Sequence, residues 1–242
     1  MIRLPVSVAD LSRRSDAEEQ MDADDLDPAI YSAVVGDLAR VNTVTLAIRP
    51  TLAFLARAAR GAAGLRILDV GFGDGDALRR IARWAARRRL PVALVGVDLN
   101  PRSEAAARAH TPAQTCRGGA IEWITGDYAA LAGGGWDVVI SSLVAHHMTR
   151  EQLVSFLRFM EREAARGWLI NDLHRHRLAH AGFPLLARAA GWHPMVRQDG
   201  TLSIARSYRP DEWAPILAEA GVEDARVFRA FPFRLCVERL RT

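Results

Sequence analysis

Lysine is absent from this chain: all 32 basic residues are arginine, set against 28 acidic ones. A formal charge of only +4, in an alanine- and arginine-rich composition, reads as coding bias rather than as a nucleic-acid surface. The one basic cluster, Arg87-Arg88-Arg89, stands at the end of a predicted helix, where cations complement the helix dipole. Cysteine is scarce as well. Cys116 and Cys236 lie far apart, match neither a metal-ligand spacing nor a redox pair, and are expected to be buried free thiols. No apolar run approaches bilayer length, and Met1 to Ser15 lacks the apolar core of a signal peptide. A soluble cytoplasmic protein is expected, with no nucleic-acid partner, no membrane partner and no metal.

With half of its 242 residues hydrophobic, the chain is long enough to bury a proper core. The apolar run Leu65 to Val70 stops at Gly71-Phe72-Gly73-Asp74-Gly75-Asp76, and Ala77, Leu78, Ile81, Ala82 and Trp84 then recur at helical spacing. This is strand, tight turn, helix. Glycines there accept positive φ and let a ligand meet bare backbone near the N–H groups of the helix start. A dinucleotide fingerprint would place its third glycine at position 76, which is Asp76, and no Gly-Lys-Ser/Thr ending follows. The pattern is G-x-G-x-G.

The chain before this loop divides in two. Residues 1 to 26, acidic at Asp22, Asp24 and Asp25, suggest a flexible or lightly docked arm. Asp27-Pro28 then signals a helix start, with Ile30, Val34, Leu38 and Val41 as its apolar stripe, and a second helix is expected from about Pro50 to Gly61. Both should pack as a cap, giving an arm and helical cap over residues 1–62 and a main domain over 63–242. Arg40 and Asn42 are the polar candidates on the first helix for contact with a substrate.

After the loop, Val92 to Val97 is a second strand ending in Asp98, placed to accept hydrogen bonds from ribose hydroxyls. A helix from Pro101 to about His110 follows. Ile121 to Ile124 is the third strand, closing in Gly126-Asp127-Tyr128; a Gly-Asp at a strand end by itself is more often a turn. Trp136 to Ser142 is the fourth strand, Thr149-Arg150-Glu151-Gln152 a capping box, and Trp168 to Ile170 the fifth strand, running into Asn171-Asp172-Leu173-His174. Residues 173–209 suggest a helical insertion, Pro210 opens a last helix interrupted at Pro215, and two final strands flank Pro232. The order predicts an α/β fold: a Rossmann-like, doubly wound, mainly parallel sheet with a terminal antiparallel hairpin. The glycine loop, Asp98, Asp127, His146, His147 and Asp172 all fall at carboxyl ends of strands, where ligands bind such sheets.

Asp69 two residues ahead of G-x-G-x-G, with Asp98 and Asp127 at the next strand ends, resembles a class I S-adenosylmethionine-dependent methyltransferase. The resemblance spans about Leu65 to Leu173. It implies that Asp69, Gly71, Gly73 and Gly75 hold the methionine end of S-adenosyl-L-methionine, Asp98 the ribose and Asp127 the adenine, with Leu99, Tyr128 and Ser142 completing the set. Val144 to Gln152 further resembles the catalytic-histidine region of small-molecule O-methyltransferases of the plant phenolic type, with His147 where that group has an acid and Met148 where it has Trp. It implies His146 as the base that deprotonates an acceptor hydroxyl, with His147 and His174 as the other candidates. Met21-Asp22, Asp37 to Asn42 and Asn171 to Arg175 resemble a bacterial subgroup of polyketide or quinone-type pathways, and Asp172 joins the substrate candidates. The expected activity is methylation of a hydroxyl on an aromatic or polyketide-like small molecule. Methylation at carbon, or donor binding without catalysis, is the alternative.

Overall fold

The computed structural model describes residues 10–23, 25–112 and 121–241; Cys116, Asp24 and the first nine residues lie outside it. Helix α1 (Pro28–Val44) starts where expected, Asp27 accepting hydrogen bonds from Ala29 and Ile30 amides. Its buried face is Tyr31, Val34, Val35 and Val41, so the apolar stripe is turned from the expected one and Ile30 is exposed. Helix α2 (Arg49–Ala58) follows.

Strand β1 (Leu65–Val70) leads through the glycine turn into α3 (Asp76–Arg88); β2 (Val92–Asp98), α4 (Pro101–His110) and β3 (Ile121–Thr125) come next. Strand β4 (Val138–Ser142), α5 (Arg150–Glu163) and β5 (Gly167–Leu173) complete the parallel part. The Thr149/Gln152 capping box at α5 is present. Two helices, α6 (Arg177–Ala189) and α7 (Pro194–Arg206), occupy the stretch read as an insertion. Helix α8 (Pro210–Ala220) runs unbroken through Pro215, contrary to the expected interruption. Pro215, in the middle of the helix, removes one backbone bond, and the buried Trp213, Ile216 and Leu217 on both sides of it hold the helix in place. Strands β6 (Arg226–Ala230) and β7 (Arg234–Leu240) form the closing hairpin.

The seven strands lie in the order β3-β2-β1-β4-β5-β7-β6, parallel except at β7, which pairs antiparallel with β5 and β6. Alternation along β1 sends Leu68 and Val70 into one apolar layer with α5 and α8, and Leu65 and Ile67 into the other with α2 and α3. The strand order switches sides between β1 and β4, which run parallel, and a crevice opens there at the strand ends. Among the described residues no helix is long and apolar enough to cross a membrane.

Candidate active site

A single cavity of about 610 Å³ occupies that crevice and continues upward under α1, α6 and α7. Its floor is the glycine turn. Gly71 has φ +78°, and a Cβ there would run into Val144 at 2.2 Å. Gly75 has φ +79° and would strike the Trp123 ring at 2.4 Å, so it serves packing and does not line the cavity. Gly73 does line the cavity, with nothing within 4 Å of where a Cβ would stand.

Two carboxylates stand by the turn: Asp98 lines the cavity, whereas Asp69 is buried behind it and is not part of the lining. Asp98 accepts the Gly73 amide at 2.8 Å and the Asn100 amide at 2.9 Å, which ties the end of β2 to the turn. Asp69 is buried, and neither of its oxygens has a hydrogen-bond partner among the described residues. Burial, then the neighbouring Asp98 charge, pushes its carboxyl up to about 7. An orphaned buried carboxylate is costly unless a donor or cation reaches it. Leu99, Tyr128 and Ser142 line the same end of the cavity. Asp127 does not: it is exposed, and its side chain accepts the Ala129 amide at 2.8 Å, capping the turn Tyr128–Leu131.

At the other end stand the histidines. His146 and His147 both line the cavity, their ring centroids 4.2 Å apart. His146 is buried, and its Nδ1 lies 2.7 Å from Asp172 Oδ1 while its amide donates to Asp172 Oδ2 at 3.0 Å. An ionised carboxylate only accepts, so Nδ1 carries the proton and Nε2 faces away from Asp172. Asp172 is therefore the residue that orients His146 and does not itself line the cavity. The His147 side chain is 29 % exposed and is the more open ring of the pair.

Glu19, which sequence patterns do not mark, sits opposite both rings. Its Oε1 is 3.6 Å from His146 Nε2 and 3.8 Å from His147 Nε2. Burial opposes charging the His146 ring, but Asp172 and Glu19 outweigh it and push the ring up to about 9. Burial likewise opposes ionisation of Asp172 and Glu19; His146 wins at Asp172, pulling it to about 2, and the histidines lower Glu19. The segment that carries Glu19 is firmly held, unlike the lightly docked arm expected. Gln20 and Met21 amides donate to the two Asp199 oxygens at 3.1 and 2.9 Å, and Ser203 Oγ donates to Glu19 at 2.8 Å. Arg14 stacks 3.8 Å above the Tyr208 ring and donates to the His146 carbonyl at 3.0 Å.

The remaining candidates are dispersed. Asn42 lines the cavity, its Oδ1 accepting from Arg234 at 3.2 Å; Arg234, buried at the start of β7, also lines it. Arg40 is 75 % exposed and paired with Asp37 at 2.8 Å, outside the cavity. His174 is buried outside the cavity beside Tyr208, and burial and nearby arginines push its ring down to about 4. Cys236 is a buried free thiol.

The mainly parallel seven-stranded sheet with its terminal antiparallel hairpin is a Rossmann-like methyltransferase fold, and residues 67–167 match the family model of a methyltransferase domain. Solved structures of similar fold include the magnesium protoporphyrin IX methyltransferase of Synechocystis PCC 6803 with bound SAH. It is 18 % identical, with 92 % of this chain and 91 % of that chain covered and a TM-score of 0.54. The plantazolicin methyltransferase BpumL, in complex with a pentazolic desmethylPZN analog and SAH, is 13 % identical, covering 89 % of this chain and 97 % of that one at a TM-score of 0.62. Human N-acetylserotonin methyltransferase in complex with SAM is 14 % identical and covers 89 % of this chain but 56 % of its own, at a TM-score of 0.60. No curated protein matches the chain significantly in sequence.

The residues present fit S-adenosyl-L-methionine. Asp69, with no hydrogen-bond partner among the described residues, suits a cationic ligand, Gly73 leaves backbone open to it, and Asp98 lines the cavity as a carboxylate acceptor.

Proposed function

We propose that this protein transfers a methyl group from S-adenosyl-L-methionine to a hydroxyl of an aromatic or polyketide-like small molecule, in a cytoplasmic biosynthetic role. The observation that carries this is the continuity of one cavity from the glycine turn and Asp98 to the His146–His147 pair, between largely apolar walls. The donor supplies a methyl group on a sulfonium, a good leaving group. The chain has then to align the acceptor oxygen with that methyl and exclude water.

In this reading Asp69, Gly71 and Gly73 hold the methionine end, and Asp98 the ribose. Leu99, Tyr128 and Ser142 flank the adenosine. Residues 1–62 and the insertion at 173–209 act as cap and lid: Val34, Leu38 and Val41 of α1 and Phe183 and Leu186 of α6 give the acceptor an apolar wall. Asn42 and Arg234 offer polar contacts within that wall. The acceptor hydroxyl loses its proton at the histidine end, where Asp172 fixes the His146 ring and His147 presents the more open imidazole.

The test is product analysis. Incubation with S-adenosyl-L-methionine and a panel of phenols and polyketide-type aromatics should give an oxygen-methylated product by mass spectrometry and NMR. A product methylated at carbon would correct the atom. Donor binding without turnover on any of them would favour a scaffold.

A further inference from the structure

We infer that Glu19, His146 and His147 form a three-ligand site for a divalent transition-metal cation of the zinc type, open toward the acceptor end of the cavity. One potential ligand atom from each residue lies within 4.8 Å of the others, and all three residues line the cavity. The Glu19 Oε1 to Nε2 separations of 3.6 and 3.8 Å are too long for hydrogen bonds. They are close to the spacing of donors that share one cation at roughly 2.0–2.2 Å each. Two imidazoles and one carboxylate, with the remaining positions facing a cavity, make the donor set of catalytic zinc centres rather than of closed structural ones.

The surroundings suit this use. Metal-bound histidines typically donate their other ring N–H to a carboxylate, and Asp172 receives that of His146 at 2.7 Å, leaving Nε2 for the cation. Ser203 Oγ holds Glu19 at 2.8 Å, and Asp199 fixes the backbone just after it. His147, half-buried, leaves a path from the cavity. Adjacent histidines do not form a ligand motif by themselves, and the third ligand comes from the N-terminal arm, which is why the sequence pattern suggests no metal.

The inference rests on the proposed function in taking this end of the cavity for the acceptor. There the cation binds the acceptor's phenol or enol oxygen and lowers its pKa, so that the oxygen is held as the anion and its proton passes to water. The donor end is untouched.

Cobalt(II) is the probe, since a site of this kind gives it a visible ligand-field spectrum that zinc lacks. The full chain, stripped with a chelator, should take up one equivalent of Co2+ with a new visible band, and Zn2+ should displace it. Glu19→Gln and His147→Ala should each weaken uptake by more than about tenfold, the least expected when even an outer partner of a metal ligand is lost. Both variants should stay folded by circular dichroism and keep calorimetric affinity for S-adenosylhomocysteine, which separates ligand loss from misfolding. No saturable Co2+ uptake, or uptake with the same spectrum and affinity in both variants, overturns the site. If the wild type takes up Co2+ as described but does not bind S-adenosylhomocysteine, the metal site stands and the methyltransfer reading falls.

Discussion

The two ends of the cavity are built differently. The floor of the donor end comes from a short stretch of chain, β1, the glycine turn and the end of β2, tied by the Asp98–Gly73 bond, with Tyr128 and Ser142 added from the ends of the neighbouring strands. The acceptor end is assembled from the N-terminal arm, α1, the turn after β4, α6, α7 and the start of β7. In the proposed reading a local backbone motif fixes where the donor lies, whereas contacts between distant segments fix what is methylated. Variation in the second set can change the acceptor without disturbing the first.

Substitutions that separate the ends test this division. The largest effect is expected for His147→Ala: turnover falls by about a hundredfold or more, the usual scale for losing a group that assists deprotonation of the acceptor. Affinity for S-adenosylhomocysteine by calorimetry stays within about twofold if the ends are independent. Asp98→Ala acts on the other end. Charged hydrogen bonds worth roughly 1.5–3 kcal/mol are lost, so calorimetric affinity for the same compound drops by about ten- to a hundredfold.

Smaller effects come with pH. Asp69, raised to about 7, must ionise to meet a cationic ligand, so affinity for S-adenosyl-L-methionine should weaken as pH falls below that value, by about tenfold between pH 8 and 6. Calorimetry in buffers of different ionisation enthalpy should detect proton release on binding. At the acceptor end the linkage appears in stability. His146, raised from 6.5 to about 9, contributes stability that is present below 6.5 and lost as pH rises through 9. Asp172, lowered from 3.8 to about 2, contributes stability that is present above 3.8 and lost as pH falls through 2. Thermal melts of Asp172→Asn should lose both shoulders.

The smallest effect is expected for Arg40→Ala, where an exposed ion pair is removed: stability changes by less than about 1 kcal/mol and kcat/KM is unchanged. Asn42→Ala, two residues along the same helix but inside the cavity, should raise the acceptor KM.

The same division governs what could be read from sequence. The succession of strands and helices, the terminal hairpin and the α5 capping box follow from periodicity and local signals, which the chain carries next to one another. Gly71, Gly73 and Asp98 fall together in the cavity lining for the same reason, since turn geometry and a strand-end carboxylate are local features. Asp127 shows the limit of local reading, because the same Gly-Asp that suggests an adenine contact also caps a turn, and here its side chain makes the capping bond. Glu19, Ser203 and Arg234 carry no pattern of their own. Their proximity to the histidines is a product of tertiary packing, and Pro215 within α8 likewise reflects packing over propensity.

A crystal structure of the chain with S-adenosylhomocysteine tests the central claim most directly. The account predicts the ribose on Asp98, the amino group near Asp69, and the sulfur pointing along the cavity toward His146 and His147. A ligand bound outside the crevice, or one whose sulfur faces away from the histidines, would contradict it.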